Sequence, residues 1–200
     1  MFARALQPRL AEQAWLTSPA GRTWSARFSP DGQRIVTTDD KSAQVWDAAS
    51  YRLLFTLAHG DIVYQAVYAN DGTRIITAGG DNTVRIWEAA NGTLVRELKH
   101  DGKKLRYAAV AADSDLVAAI DLDGAVVHVW STATGAPLAE LRNDASGFFS
   151  LAFSADGRWL ATSGGKDVNV FDTRTRVPAG VVMKCGVRSE AGGGGRRLAG

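Results

Sequence analysis

The stretch from Thr73 to Trp87 reads Thr-Arg-Ile-Ile-Thr-Ala-Gly-Gly-Asp-Asn-Thr-Val-Arg-Ile-Trp, and much of the remaining chain repeats its plan. Two short runs rich in β-branched residues flank a Gly-Gly-Asp-Asn turn, which predicts a β-hairpin. An Asp-Gly turn joins this hairpin to an alternating run at 63–68, and an Asn-Gly turn joins it to a further run at 93–98. We therefore predict four short antiparallel strands in this unit.

The unit recurs along the chain at a nearly constant period. The aromatic residue that ends the third strand returns at intervals of 41, 43 and 41 residues, as Trp46, Trp87, Trp130 and Phe171. The acid of the first turn returns at intervals of 40, 42 and 43 residues, as Asp31, Asp71, Asp113 and Asp156. Four-stranded units repeated at this spacing are typical of β-propeller blades.

Three of these units share a pair of short motifs. Phe-Ser-Pro-Asp-Gly at 28–32 is followed by Val-Trp-Asp at 45–47, and the same frame returns at 68–72 with 86–88, and at 153–157 with 170–172. On these motifs the chain resembles the WD40 repeat family from about Gly21 to Arg176. The resemblance implies an all-β fold built of propeller blades, each with four antiparallel strands.

We expect four blades, at about 21–58, 59–99, 100–142 and 143–180. The third blade departs most from the pattern, with a longer hairpin at 120–124, and the fourth has a weak outer strand because Pro178 lies within it. Residues 1–20 are expected to be a linker or, at 13–17, a strand that closes a blade. The Gly/Arg-rich segment 181–200 is expected to be a flexible tail.

Four blades are few for this family, whose rings usually have about seven, although propellers in general have about four to eight. Because each blade covers its apolar faces with its neighbours, a partial ring leaves two faces exposed. Three arrangements stay open: part of a longer propeller, which we favour, an open arc completed by another chain, or a closed ring of four. An incomplete or open ring also favours self-association through its exposed blade faces.

The composition excludes several classes of function. Lys+Arg number 23 and Asp+Glu number 21, so no basic field points to nucleic acid or a membrane surface as the partner. Cys185 is the only cysteine, which excludes an intrachain disulfide and a thiolate zinc cluster. No apolar run resembles a signal peptide or a membrane span. We expect a cytoplasmic protein.

The family resemblance also implies a hydrogen-bonded set inside each blade: a His, a Ser or Thr, a turn Asp and a Trp. Such a set is physically reasonable because a buried carboxylate needs hydrogen-bond donors. Blade two has the complete set, as His59, Thr77, Asp81 and Trp87. We expect its role to be structural.

The other blades have this set only in part. Blade one offers Thr37, Asp40 and Trp46 but no upstream His. Blade three offers His100, Asp123 and Trp130, with Ala118 at the expected hydroxyl position. In blade four Lys166 replaces the acid and Phe171 the Trp, so we expect its set to be absent.

Catalysis, metals and cofactors are not expected. The His, Thr and Asp of blade two are explained by the blade, and no exposed nucleophile accompanies them. His128 lies in a polar column with Gln44, Arg85 and Asn169, so we interpret it as a half-exposed strand residue. No pair of His has ligand spacing, and Gly79-Gly80 is too short to bind a phosphate.

The repeat also selects equivalent positions for a partner site. Four residues before the end of each first strand lie Trp24, Tyr64, Arg106 and Phe149, and Arg22 and Lys104 precede two of them. Trp, Tyr and Arg dominate binding hot spots, and the family resemblance places these positions on the face commonly used for partners. The alternative is that the column packs between blades with Ala26, Ala66, Ala108 and Leu151.

The resemblance favours a non-catalytic scaffold that binds a protein or peptide on the propeller face. The alternative is a regulatory or sensor segment of a larger signalling protein with a kinase-like or nucleotide-binding module. A propeller hydrolase would need acidic or His ligands that converge on the channel, and the repeat-equivalent positions do not supply them.

Overall fold

The computed structural model describes residues 15–18, 21–100, 104–111, 115–142, 147–154, 156–164, 167–174 and 177–184, with the backbone alone for 167 and 177–184. Within these ranges the chain forms sixteen β-strands and no helix. The strands are β1 Ser25–Phe28, β2 Arg34–Thr38, β3 Ser42–Asp47, β4 Leu53–Ala58, β5 Val63–Tyr68, β6 Arg74–Gly79, β7 Thr83–Glu88, β8 Leu94–Lys99, β9 Leu105–Val110, β10 Leu116–Asp121, β11 Val126–Ser131, β12 Pro137–Arg142, β13 Ser150–Phe153, β14 Trp159–Gly164, β15 Asp167–Asp172 and β16 Val177–Lys184.

Each group of four consecutive strands forms one antiparallel sheet, in the orders β1-β2-β3-β4, β5-β6-β7-β8, β9-β10-β11-β12 and β13-β14-β15-β16. Strands that follow one another in sequence are neighbours because tight turns join them. Gly32 and Gly72, for example, have positive φ of 70° after their Asp, a conformation that glycine adopts without strain. These sheets are the four predicted blades.

The innermost strands β1, β5, β9 and β13 follow one another side by side, and the blades pack through three apolar cores. Val45, Leu57 and Ile75 belong to the core between blades one and two. Ile86 and Leu98 belong to the core between blades two and three. The burial of these side chains between sheets holds the blades together.

One face of blade one is not covered by another blade within the described residues. Phe28 pairs with Ile35 on β1 and β2 in the register in which Tyr68 pairs with Ile75 on β5 and β6. Phe28 is 65% exposed, whereas Tyr68, which faces blade one, is 8% exposed. Within the described residues the blades therefore form an open arc. This arrangement agrees with the incomplete or open ring expected from the sequence and not with the closed ring of four that the sequence left open.

The outer strand of blade four is longer than the sequence suggested. β16 runs for eight residues and ends at Lys184, four residues past the predicted blade boundary. Pro178 pairs with Phe171 beside a register shift between Asn169 and Phe171. The outermost position permits this, because a proline there removes no donor from an inner ladder.

The terminal predictions are only partly covered by the structure. Residues 15–18 have no regular structure, and the Ser18 hydroxyl donates to Asp39 at 2.7 Å. The remainder of the predicted N-terminal segment and the predicted tail beyond Lys184 lie outside the described residues.

Candidate functional site

In blade two the structure brings the four predicted network residues together. His59 Nε2 lies 2.7 Å from Thr77 Oγ1, and the Trp87 indole donates to the same hydroxyl at 2.8 Å. His59 Nδ1 lies 3.2 Å from Asp81 Oδ2. The four side chains thus form one chain of hydrogen bonds from the β6–β7 turn to Trp87 near the end of β7.

Further groups hold the Asp81 carboxylate. The Gly60 N–H donates to it at 2.9 Å, the Thr83 hydroxyl at 2.6 Å and the Arg85 guanidinium at 2.6 Å. Burial alone would raise the pKa of Asp81, but the hydrogen bonds, led by the one from His59, outweigh burial and keep this pKa well below its ordinary value.

Burial lowers the pKa of His59 below its ordinary value of 6.5, although the hydrogen bond to Asp81 opposes this change. We therefore assign a neutral imidazole whose Nδ1–H donates to Asp81 and whose Nε2 accepts the Thr77 hydroxyl proton. The Thr77 hydroxyl oxygen also accepts the indole N–H of Trp87. Each member of the network therefore has its hydrogen-bond partner within the network, and none is left as an activated nucleophile.

Blade one builds an equivalent network from the predicted Thr37 and Trp46 together with Gln44 and Asp39, which the sequence did not assign to it. The Trp46 indole donates to Thr37 Oγ1 at 2.9 Å, and the Thr37 hydroxyl donates to Gln44 Oε1 at 3.1 Å. The Gln44 amide in turn donates to the buried Asp39 carboxylate. Gln44 therefore takes the place of the missing histidine.

The prediction that Asp40 is the turn acid of blade one was wrong. Asp40 instead accepts the indole N–H of Trp24 at 2.9 Å. Thr37 and Trp46 are nine residues apart in blade one, whereas Thr77 and Trp87 are ten residues apart in blade two. The β2–β3 turn is therefore one residue shorter than the β6–β7 turn. That deletion brings Asp39 to the network and turns Asp40 outward.

Blade three differs from its predicted assignment in the hydroxyl position. Trp130 pairs with Val117 and His128 with Ala119, so Ala119, not Ala118, occupies the position equivalent to Thr77. An alanine offers no hydrogen-bond acceptor, so the hydroxyl link of blade two is absent here.

The histidines and acids of blade three also differ from expectation. His128 is buried rather than half-exposed, and its ring centroid lies 3.8 Å from that of His100. Asp121 is the buried acid of this hairpin and accepts the Val126 N–H at 3.1 Å, whereas Asp123 is exposed. The longer hairpin moves Asp123 away from the blade interior.

Blade four retains the hydroxyl but has lost the indole. Thr162 is buried, and in the part of the chain that the structure describes its Oγ1 has no hydrogen-bond partner. Leu160 pairs with Phe171 in the register that joins Ile75 to Trp87 in blade two. A cavity of about 150 Å³ lies beside Phe171 and Leu160 at the junction with blade three. Lys166 lies outside the described residues.

Phe171→Trp is therefore expected to raise the free energy of unfolding by about 1 kcal/mol, because it supplies a donor to Thr162 and fills space. Urea denaturation would measure the gain. Thr162→Val is the matched control: it should be nearly neutral beside Phe171 but should remove part of the gain beside the new Trp. A gain independent of Thr162 would contradict the hydrogen-bond explanation.

The four predicted partner-site positions are structurally equivalent. In every blade the residue two positions further along pairs with the residue at the hydroxyl position. The pairs are Ala26 with Thr37, Ala66 with Thr77, Ala108 with Ala119 and Leu151 with Thr162. Tyr64 and Arg106 lie at register shifts in β5 and β9, and such bulges commonly change the direction of a side chain. Trp24 and Phe149 immediately precede β1 and β13.

These positions are accessible and not packed between blades. Trp24 is 39% exposed and Phe149 59% exposed, Arg106 is exposed, and Tyr64 is half-buried. The rings of Trp24 and Tyr64 meet edge to face at a centroid distance of 5.6 Å. Blades one and two thus share one aromatic surface, while Phe149 lies on blade four.

Two cations beside these aromatic residues have no carboxylate partner within the described part of the chain. The Arg22 guanidinium lies 5.4 Å from the Trp24 ring centroid, and that of Arg106 lies 4.7 Å from the Tyr107 ring centroid. Lys104 differs, because its ammonium donates to Asp61 at 2.7 Å and that hydrogen bond lowers the pKa of Asp61.

The family model of the WD domain, G-beta repeat, matches residues 16–47, 51–88 and 135–172, which together are more than half of the chain. The chain belongs to the WD40 repeat family. The segment 89–134, which includes the drifted inner strands of blade three, lies between the second and third matches. The WD40 resemblance and the propeller-type fold predicted from the sequence are thereby confirmed.

Curated relatives include the serine-threonine kinase receptor-associated protein of Dictyostelium discoideum, 27% identical over 79% of this WD40 chain and 54% of that protein. The target of rapamycin complex subunit LST8 of Mus musculus is 28% identical over 54% of the chain and 33% of its own length. The COMPASS component SWD3 of Saccharomyces cerevisiae is 28% identical over 59% of this chain and 38% of its own length. The chain spans about half the length of the first of these relatives, and less of the others.

Among solved structures, that of U3-55K matches with a TM-score of 0.71 at 18% identity, over 84% of this chain and 53% of that one. This likeness supports the fold. In the ranges that the structure describes, no three His, Cys, Asp or Glu side chains are grouped to hold a metal ion. The same ranges contain no helix with the length and apolar character needed to cross a membrane.

Proposed function

We propose that this WD40 chain is a non-catalytic scaffold that binds an extended segment of a protein partner across the face where the inner strands begin. Trp24 and Tyr64 would form the apolar centre of this surface, and Arg106 would continue it on blade three. Arg22, Lys104 and Phe149 would lie around them.

The observation that supports this proposal is the accessible aromatic pair. Trp24 and Tyr64 come from different blades yet touch, so together they offer a rigid apolar surface that a partner side chain can cover. Such aromatic centres, surrounded by polar groups, are typical of binding hot spots. Two relatives are named as a subunit of the target of rapamycin complex and as a component of COMPASS, which supports a role in protein assembly.

The proposal is tested by selecting peptides that bind the intact chain from a random display library and measuring their affinity by calorimetry. Trp24→Ala and Tyr64→Ala should each weaken the selected peptides about 30-fold, as hot-spot truncations of about 2 kcal/mol do. Tyr51→Asn is the matched control, because Tyr51 is 37% exposed but lies in a turn at the opposite ends of the strands.

Peptides that bind equally well to both Ala variants would contradict the proposed site. Thermal unfolding of each variant separates lost binding from lost folding, since Trp24 also donates to Asp40. Light scattering on the same samples gives their molar mass, which tests the predicted self-association. A cytoplasmic location and the alternative of a regulatory segment stay predictions.

A further inference from the structure

A second cavity lies at the opposite ends of the strands, between the turns of blades one and two. Its volume is about 440 Å³, and its lining includes Asp31, Arg34, Tyr68, Asp71 and Glu88. These residues come from the β1–β2 turn, the β5–β6 turn and the end of β7. The cavity is thus separate from the Trp24–Tyr64 surface and does not depend on the function proposed for it.

Tyr68 is the most unusual residue of this cavity. Tyr68 is more than nine-tenths buried, and its hydroxyl has no hydrogen-bond partner among the described residues. Burial raises the pKa of Tyr68 to about 12, so the phenol is neutral and can both donate and accept. A buried hydroxyl without a partner costs free energy, which a suitable bound group would recover.

The carboxylates of the cavity retain unused acceptor atoms. Asp31 accepts the Ser29 hydroxyl at 2.6 Å and the Gln33 N–H at 3.0 Å, both through Oδ1. Glu88 pairs with Arg74 through Oε2. Within the described residues, no hydrogen bond engages Asp31 Oδ2 or Glu88 Oε1.

The charge of the lining favours a cation. Asp31, Asp71 and Glu88 contribute three carboxylates. Among the described residues, two guanidinium groups offset part of this charge: Arg34 in the lining, which donates to the Ala89 carbonyl, and Arg74 outside the lining, which pairs with Glu88. One net negative charge remains. A guanidinium presents several N–H donors in a planar fork, which suits acceptors that lie on different walls better than a compact ammonium does.

We propose that this cavity binds an arginine side chain of a protein partner, with Asp31, Glu88 and the Tyr68 hydroxyl as acceptors. The chain would then have two interaction surfaces at opposite ends of its strands, one aromatic and one selective for guanidinium groups.

The test uses the full chain, labelled with ¹⁵N, and two probes: N-acetyl-arginine amide and its neutral isostere N-acetyl-citrulline amide. Arginine amide should shift the backbone signals of 31–34, 71–73 and 88–90 saturably. It should bind at least about tenfold more tightly than citrulline amide, because only the former carries the charge. Equal binding of the two probes, or shifts confined to other regions, would overturn the proposal.

Two variants refine the test. Asp31→Asn should weaken arginine amide about fivefold, since it removes the charge while its Oδ1 can still accept from Gln33. Asp156→Asn is the matched control, because Asp156 accepts Ser154 Oγ at 2.5 Å and Arg158 N at 3.1 Å in the equivalent turn of blade four, outside the cavity. Tyr68→Phe should also weaken binding while leaving the fold intact. If Asp31→Asn and Asp156→Asn had the same effect, the proposal would be rejected.

Discussion

Asp81→Ala is expected to lower the free energy of unfolding by about 3 kcal/mol, because it removes the acceptor shared by one complete network. His59, Thr83 and the Gly60 N–H would lose their carboxylate partner, and Arg85 would keep only Glu97. The side chain of His59 is held in a buried position. Leaving buried donors unsatisfied costs more than the hydrogen bonds themselves contribute. Equilibrium urea denaturation, with a common m-value, measures the difference.

The matched controls for this variant are the turn acids that lie outside the networks. Asp40→Ala and Asp123→Ala should each cost less than about 1 kcal/mol, because their carboxylates lie nearer solvent. Asp39→Ala, by contrast, should resemble Asp81→Ala, since Asp39 is buried and accepts from Ser42 and Gln44. Equal midpoints for the Asp81 and Asp40 variants would show that the network does not stabilise the blade.

Gly124→Ala is expected to destabilise the chain by about 3 kcal/mol through backbone strain and a steric clash together. Gly124 has φ of +76°, and a Cβ added there would lie 2.7 Å from the carbonyl oxygen of Phe148. Phe148 lies at the entry to blade four, and its own backbone N–H donates to the carbonyl oxygen of Gly124. The clash therefore separates two hydrogen-bonded segments.

Gly32→Ala is the control that separates the two causes. Gly32 has φ of +70°, but a Cβ there would meet no atom within 4 Å. We expect this variant to cost only about 1 kcal/mol, which is the strain of the left-handed conformation alone. The difference between the two variants, measured by thermal or urea unfolding, reports the contact between the blade-three hairpin and blade four. Equal costs would mean that this contact relaxes freely.

The blade-three hairpin also shows how far the sequence carries a prediction. Its extra residue was visible in the spacing, but the sequence did not indicate that the extension packs on the backbone of Phe148. In the same way, Asp40 matched Asp81 by counting back from the Trp, yet a turn shorter by one residue brought Asp39 into the network. Counting residues back from the Trp cannot show which residue of a shortened turn takes the position of the network acid.

The sequence by itself determined the strands, the blade period and the family, because alternation, turn residues and repeat spacing are local properties of the chain. It also determined the equivalence of Trp24, Tyr64, Arg106 and Phe149, which the strand register reproduces. Only the tertiary structure decided that these side chains are accessible, that Gln44 replaces a histidine, that His128 is buried and that the Tyr68 hydroxyl lacks a hydrogen-bond partner within the described residues. Each of these depends on bulges, on which residues of a turn face the blade interior and on contacts between blades, and the alternation and turn residues of a single repeat indicate none of them.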